Sequence, residues 1–310
     1  MALQTEVWAR DIAANLFPKN TFLARAKDDS MWVENKTVHL PQSGSLPAVS
    51  RNRSSYPATI SQRTDVEVTY SLYELTSDPT HIPDVDAIEV SYDKRMSVLN
   101  EHIEQVRRKA ADVLLWQWCP TLAAAAGQVI ASTGSNRLTN AAGGTGNRKA
   151  LTRAEVLAAK KLLDIQEIPQ EGRVLLLDGA MYADLLADTT ITNRDWVTAN
   201  SLQSGVIAQL FGFDVMIRSR LGRFSDTTFT SGVLTAGTVK DPDAANAATD
   251  DAFSLAWHPD FVRRALGEVK VYSDVDKPEY YGSVFSTMNR VGGSKSYTDY
   301  RGIVALVETT

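Results

Sequence analysis

One apolar stripe in the middle of the chain constrains the fold more than any other feature. Its residues recur at steps of three or four: Ile88, Tyr92, Met96, Leu99, Ile103, Val106, Ala110 and Val113. This spacing is typical of one face of an α-helix. At 1.5 Å per residue, about 30 residues give a helix of roughly 45 Å. We therefore predict a long structural helix over residues 84–118, whose solvated side includes Lys94, Glu101, Glu104, Arg107 and Arg108.

The start of this helix is acidic. Its first charged residues are Asp84, Asp86, Glu89 and Asp93. Asp84 suits the N-cap, and the helix dipole favours acids in the first turn. His81 lies near Asp84 and Asp86, a combination that could contact a metal ion. Because the helix start already explains both acids, we predict an acidic surface there and no metal site.

A polar segment between two predicted strands precedes the helix. The segment at residues 44–64, GSLPAVSRNRSSYPATISQRT, has two prolines, five serines, three arginines and no acid. Before it, VENKTVHL at residues 33–40 suggests a strand, and after it apolar and polar residues alternate from Val66 to Leu72. An isolated two-stranded ribbon is at best marginally stable in water. We therefore expect the ribbon to bury its apolar face only against another copy of the chain.

Composition limits the class of protein. The 310 residues are 44% hydrophobic and 22% charged, which is ordinary for a globular protein. A net charge of −5 argues against a protein that mainly coats nucleic acid. The single cysteine, Cys119, cannot form an intrachain disulfide, and no apolar run of about 18 residues could span a bilayer. Without a recognisable secretory signal, we expect synthesis in a cytoplasm.

The remaining segments predict alternating structure. Residues 1–30 suggest an amphipathic arm with little core to share, and SNRLTNAAGGTGNRK an exposed flexible connection. RVLLLDGAMYADLLAD and AFSLAWHPDFVRRAL each suggest strand, turn and helix, whereas SGVIAQLFGFDVMIRS suggests helix, glycine and strand. Such alternation indicates an α/β layer domain. The tail returns to β-structure, broken at Pro278 and at Gly292–Gly293.

Catalytic signatures are missing from the sequence. In AAGGTGNRK, Gly146 is followed by Asn147 and Arg148, which does not fit a Walker phosphate loop. There is no G-x-S-x-G elbow and no His-Glu-x-x-His pair. Cys119 has no histidine or other base nearby in sequence. We therefore assign no catalytic, cofactor-binding or metal-binding residue and predict that the protein is not an enzyme.

The order of these parts resembles the major capsid proteins of tailed bacteriophages, which have the Hong Kong 97-type fold. The resemblance covers essentially the whole chain, and SGVIAQLFGFDVMIRS, with Gly212 at a helix end, is its most specific passage. It implies an α+β fold with an N-terminal arm, an extended β-ribbon loop, a peripheral domain with a long spine helix, and an α/β axial domain. The arm would span residues 1–30, the loop 31–75, the peripheral domain 76–149 and 267–310, and the axial domain 150–266.

The resemblance also implies a function. The protein would self-assemble into hexamers and pentamers of an icosahedral shell, the virion capsid, which encloses double-stranded DNA without sequence-specific binding. Further partners would be a separate scaffolding protein, a portal and a decoration protein, with no membrane contact. The loop of one subunit would lie across its neighbour. There Arg51, Arg53 and Arg63 would meet the acids of the spine helix.

Two alternatives stay open at this stage. An encapsulin-like bacterial nanocompartment shares the fold but stores a cargo enzyme, so the contents of purified particles distinguish it from a phage capsid. A soluble α/β enzyme or ligand-binding module would instead be a monomer that turns over a small molecule. No polar constellation in the sequence favours that second alternative.

Overall fold

The fold is known from a computed structural model. It describes residues 21–34, 36–44, 47–54, 56–57, 60, 62–83, 94–121, 126–188, 207, 209–267, 270–279 and 281–310. The α-helices of these residues are α1 (Lys94–Trp118), α2 (Arg153–Ile165) and α3 (Gly179–Ala187). Short 3-10 helices occupy Thr21–Arg25, Ser30–Trp32, Ala126–Gln128 and Pro259–Phe261.

The strands of the described residues are mostly short. The first ten are β1 (Lys27–Asp28), β2 (Val33–Glu34), β3 (Thr37–Gln42), β4 (Val66–Ser71), β5 (Tyr73–Thr76), β6 (Thr80–Pro83), β7 (Val129–Ala131), β8 (Asn136–Leu138), β9 (Asn147–Lys149) and β10 (Val174–Asp178). The others are β11 (Gln209–Leu210), β12 (Phe213–Arg218), β13 (Arg223–Phe224), β14 (Thr228–Thr230), β15 (Val233–Ala236), β16 (Asp251–Trp257), β17 (Val262–Leu266), β18 (Lys270–Lys277), β19 (Gly282–Lys295) and β20 (Ile303–Val307).

A seven-stranded mixed sheet forms the centre of the molecule. Its order is β11-β12-β10-β16-β20-β7, and β13 pairs with β16 at one side. Every residue of β10, β16 and β20 is buried, as expected for continuous apolar strands covered on both faces. Leu176 packs into the core around Trp118, whereas Leu175 and Leu177 pack against the core with α2 and α3. The sheet therefore separates two hydrophobic cores.

A six-stranded sheet carries the long helix. Its order is β1-β17-β19-β18, and β5 and β6 also pair with β19. Pro278 lies in the turn between β18 and β19, but β19 continues through Gly292–Gly293 and corrects the break predicted there. A side chain at Gly293 would meet Leu114 at 2.6 Å and Trp118 at 2.9 Å. This glycine thus allows α1 to lie directly on the sheet.

The periodicity of the long helix is confirmed where it is described. Leu99, Ile103, Val106, Ala110 and Val113 are buried along one face of α1. The structure corrects one detail, because Arg107, predicted to be solvated, is only 5% exposed. Residues 84–93, which include Ile88 and Tyr92, lie outside the described residues, as does the side chain of Met96.

Two predicted helices are corrected. In FVRRAL, Phe261 ends a 3-10 helix and Val262–Leu266 form β17, which pairs with β19 on one side and with β1 on the other, so tertiary pairing overrides the local pattern. Gln209–Leu210 is a strand joined to β12 by the turn Phe211–Gly212, whose φ angles are 51° and 86°. Gly212 is therefore a hairpin-turn glycine and not a helix cap. Residues 204–206 and 208 of the predicted helix lie outside the described part.

Two segments predicted to be peripheral to the core contribute to it. Phe22 and Leu23 are buried, and the Phe22 ring meets the rings of Trp118 and Trp257 edge-on at 6.5 Å each, so the arm does share core. Residues 1–20 of the predicted amphipathic arm lie outside the described residues. The polar connection before α2 forms the β8–β9 hairpin, in which buried Arg148 pairs with Asp251 at 2.5 Å.

Strand pairing crosses the predicted domain limits. β17, from the segment predicted to be axial, lies in the six-stranded sheet beside β19. In contrast, β7 and β20, from segments predicted to be peripheral, lie in the seven-stranded sheet. The domain boundaries stay a prediction. A division that follows the sheets has to place β17 with the six-stranded sheet, and β7 and β20 with the seven-stranded sheet.

Candidate subunit interface

The base of the ribbon is anchored to its own chain. β3 and β4 pair from Thr37↔Ser71 to Gln42↔Val66. Their apolar side chains form a buried cluster that includes Ala265 of β17; the ribbon residues in it are Val38, Leu40, Val68, Tyr70 and Leu72. This corrects the expectation that only another copy could cover the apolar face of the ribbon.

A buried carboxylate fixes this base to the sheet. Asp29 is 2% exposed and accepts a hydrogen bond from the Tyr70 hydroxyl at 3.2 Å. It also pairs with Arg263 of β17 at 2.9 Å. Burial, together with the charge of Asp29, raises the pKa of Tyr70 above its ordinary value, so the phenol stays protonated and remains a donor. The base of the ribbon therefore has a defined direction relative to the sheet.

A second polar contact closes the neck of the loop. The guanidinium of Arg63 donates to both oxygens of Asp65, at 2.6 and 2.9 Å. The backbone N–H of Gly44 donates to the same carboxylate at 3.0 Å. The Arg63 hydrogen bonds, followed by that of Gly44, lower the pKa of Asp65 to about 2. A side chain at Gly44 would collide with the Thr64 carbonyl oxygen. The absence of a side chain at Gly44 therefore allows the two chain segments to approach closely.

Beyond the neck, the tip of the loop has no buried residue in its described part. Every described residue from Pro47 to Thr64 is exposed. Val49 and Ile60 are 94% and 96% exposed, and Tyr56 is 79% exposed. Large apolar side chains that remain this open are typical of a surface that another molecule covers. The tip is therefore the best candidate for a contact between subunits.

The structure separates the predicted contact residues. Arg51 and Arg53 lie on the exposed tip, where Arg53 donates to the Ser50 hydroxyl at 3.4 Å. Arg63 is instead held in the neck by Asp65 of its own chain. The four acids predicted to face these arginines lie outside the described residues: Asp84, Asp86, Glu89 and Asp93. The contact between arginines and acids stays a prediction.

Two exposed residues beside the ribbon were not predicted as contact residues. Met31 and Trp32 form part of a short 3-10 helix directly before β2 and are 94% and 69% exposed. The available signal was local: two large apolar residues follow the polar stretch KDDS and belong to no periodic pattern. They extend the candidate interface from the tip to the base of the ribbon.

Other kinds of site are not found in the described ranges. There, no group of three or more His, Cys, Asp and Glu side chains is arranged to hold a metal ion. Among the same residues, no helix combines the length and the apolar character needed to cross a membrane. Cys119 is completely buried, and burial raises the pKa of its thiol well above the ordinary value, which disfavours the nucleophilic thiolate.

Solved structures of low sequence identity share the fold. The capsid of the cyanophage P-SCSP1u superposes with a TM-score of 0.63 at 17% identity, covering 91% of this chain and 86% of that one. The capsid of Ralstonia phage GP4 gives 0.63 at 9% identity, with 92% and 87% covered. The capsid of a native GTA particle gives 0.59 at 15% identity, with 93% and 89% covered. These likenesses confirm the α+β Hong Kong 97-type fold.

A family model gives the clearest assignment. No curated protein matches the sequence significantly. The model described as "Phage capsid protein" matches residues 22–307, which is nearly the whole chain and includes both sheets, the ribbon and α1. The encapsulin alternative is not favoured by these matches. The chain therefore belongs to the phage capsid protein family, as a structural major capsid protein of the virion.

Proposed function

We propose that this capsid protein assembles into hexamers and pentamers of an icosahedral shell that encloses double-stranded DNA. The supporting observation is the contrast within the ribbon. Its base is buried against Ala265 and Asp29 of the same chain, whereas Val49, Tyr56 and Ile60 at its tip are exposed. A second copy that covers the tip repeats the contact around a closed ring. The shell needs no catalysis from this chain.

The proposal includes partners that act during assembly. The subunit is made in the host cytoplasm and assembles with a separate scaffolding protein, a portal and a decoration protein. The electrostatic part of the tip contact is now limited to Arg51 and Arg53, because Arg63 is already paired with Asp65. Their partners in the neighbouring subunit are Asp84, Asp86, Glu89 and Asp93. Opposite charges of this kind affect the docking register and the association rate of two subunits more than they affect the affinity between them.

Replacement of the tip tests the proposal. We expect a chain in which a short Gly-Ser turn replaces residues 46–62 to remain folded and soluble but to form no shells, since the tip has no buried residue in its described part. Melting temperature measures folding, and negative-stain electron microscopy measures assembly. Normal shells from this variant would contradict the proposal.

A subtler variant keeps the length of the tip. V49S/Y56S/I60S removes only its exposed apolar side chains, and it should also block or strongly slow assembly. The matched control is L138S/L157S/I165S, which removes three exposed apolar residues elsewhere on the surface. Equal loss of shells in both variants would show that general surface polarity, and not the tip, controls assembly. Nuclease-protected DNA in wild-type shells tests the enclosed genome.

A further inference from the structure

An open cavity between α1 and the end of β12 is rich in arginine. It has a volume of about 740 Å³, far more than the ~30 Å³ of one water molecule. Four of its lining residues are arginines and two are acids: Arg107, Arg108, Arg218, Arg220, Glu104 and Asp112. Asn140 and Ser219 complete the lining with neutral polar groups. The cavity therefore has an excess of positive charge.

The two acids do not exhaust the donors of the arginines that they bind. Glu104 accepts from Arg107 Nη1 at 2.6 Å, and Asp112 accepts from Arg218 Nη2 at 2.6 Å. Among the described residues, Arg107 Nε and Arg218 Nη1 are buried and have no hydrogen-bond partner. Arg107 is 95% buried, so its free donor carries a desolvation cost until an acceptor arrives.

Two further arginines lie at the open side of the cavity. Arg108 and Arg220 are exposed and line the same space as the buried pair. Glu104 and Asp112 each pair with one guanidinium of the cavity. Donors from four guanidiniums instead suit a phosphate group, which accepts several hydrogen bonds at once and is bound by planar arginine forks.

We propose that this cavity, the arginine groove, binds backbone phosphates of nucleic acid, and that it holds the DNA that the shell encloses. The inference rests on the proposed function for the source of the phosphates. Contacts to phosphate carry no sequence information, so the groove would bind DNA without sequence preference. A local basic groove also reconciles DNA contact with the net charge of −5.

The test measures binding of a DNA duplex of about 30 base pairs to the purified full-length protein, over a range of salt concentrations. R108Q/R220Q removes two exposed charges of the groove, and K160Q/K161Q removes two charges from α2 as the matched control. We expect R108Q/R220Q to weaken binding at least tenfold and to reduce the slope of log affinity against log salt by about 2. Equal effects in both variants, or no effect, would overturn the proposal.

A second measurement addresses the buried donors. R218K keeps the charge beside Asp112 but removes the unpaired Nη1 donor. Inorganic phosphate should raise the melting temperature of the wild type more than that of R218K. If phosphate stabilises the protein but DNA does not bind, the groove holds a small ion only. If R108Q/R220Q loses binding of a polyglutamate peptide and not of DNA, the ligand is an acidic protein segment. Either result would overturn the inference.

The proposed function fails in a different way. If wild-type protein produced together with its scaffolding protein forms no shells in the electron microscope, the assembly proposal is wrong whatever the binding data show. If wild-type and R108Q/R220Q shells form equally and retain the same amount of nuclease-protected DNA, only the arginine groove is refuted. The two results are therefore distinguishable in one set of preparations.

Discussion

The central strand β16 and the loop tip differ completely in burial. All seven residues of β16 are buried, including Asp251 and Ser254, whereas every described residue from Pro47 to Thr64 is exposed. Both segments have large apolar side chains, so composition alone does not explain the difference. β16 has bonded neighbours on both sides within its own chain. The tip extends past the neck at Asp65 and has no buried residue in its described part, so the sheet maintains the subunit and the tip adds little to its core.

The largest effect is expected for a charge placed in the core. Ile103 is 8% exposed on the buried face of α1, so I103D should prevent folding because an unpaired carboxylate would be buried. Q105D, an exposed position of the same helix, is the control. Circular dichroism and solubility measure the outcome. A soluble I103D subunit with the wild-type melting temperature would show that this face of α1 is not needed for the core.

A matched pair of truncations tests the contrast between sheet and tip directly. L255A in β16 should lower the free energy of unfolding by ~2–5 kcal/mol, because the side chain is fully buried. I60A at the tip should change it by less than about 0.5 kcal/mol but should slow assembly, since Ile60 is 96% exposed. Denaturant titration and light scattering measure the two effects. Comparable destabilisation by L255A and I60A would show that the sheet and the tip contribute equally to the stability of the subunit.

The pH dependence of stability also distinguishes the sheet from the loop, because the pKa values of one carboxylate in each region shift in opposite directions. Burial beside β16 raises the pKa of Asp178 from 3.8 to about 6, in spite of hydrogen bonds from Asn140 and from the Ala180 N–H. The native state thus binds this proton more tightly than the unfolded chain does. The resulting stability is complete below the unfolded pKa and is lost as pH rises through about 6.

Substitution of Asp178 should therefore flatten the pH dependence. D178N still caps α3 but cannot ionise, so the stability lost between about pH 4 and pH 7 should shrink by on the order of 1–3 kcal/mol. For exposed Asp65 the effect of pH on stability has the opposite sign, because its pKa is lower in the native state than in the unfolded chain. The resulting stability is present above the unfolded pKa and is lost as the pH falls. Denaturant titration of the wild type and of D178N across pH measures the difference. An unchanged slope in D178N would show that Asp178 stays ionised.

The smallest effect per contact is expected from the charges of the tip. R51E/R53E should slow shell formation without changing the melting temperature, because an exposed ion pair contributes only ~0–1 kcal/mol. High salt should slow the wild type in the same way, since the Debye length falls from ~10 Å at 0.1 M to ~3 Å at 1 M. Light scattering follows assembly, and K160E/K161E is the control for the change in charge.

A compensating variant identifies the partner surface. Addition of D84K/D86K to R51E/R53E should restore part of the assembly rate if these residues meet between subunits. If R51E/R53E assembles normally and independently of salt, the two arginines face solvent or another partner.

Local sequence patterns correctly predicted the elements that depend little on distant parts of the chain. The stripe from Leu99 to Val113 defined α1, because a helix satisfies its own backbone and needs only one apolar face. RVLLLDGAMYADLLAD was correctly predicted as strand, turn and helix. The start of α2 also depends on local residues, because Thr152 and Glu155 form a capping box. The segment at residues 44–64 has only scattered apolar residues, and its described part is exposed from Pro47 to Thr64.

Elements that depend on distant partners could not be predicted in this way. FVRRAL fits a helix, yet Val262–Leu266 of it form β17, because β1 and β19 offer strand edges on both sides and Asp29 pairs with Arg263. The periodicity of α1 places Arg107 on the solvated side, but in the folded chain it is only 5% exposed and pairs with Glu104. The pairing of Arg63 was instead available locally, because Asp65 follows two residues later, whereas Arg51 and Arg53 have no acid nearby in sequence.

The sequence by itself thus determined the class of the protein, the long helix and the ribbon. Those features depend on periodicity and composition, which act over a few neighbouring residues. The tertiary structure alone decided that β7 and β20 complete the central sheet and that the base of the ribbon is covered by its own chain. It also brought the four arginines of the groove together. The physical reason is that strand pairing and charge clustering join residues far apart in sequence, whose proximity no local pattern encodes.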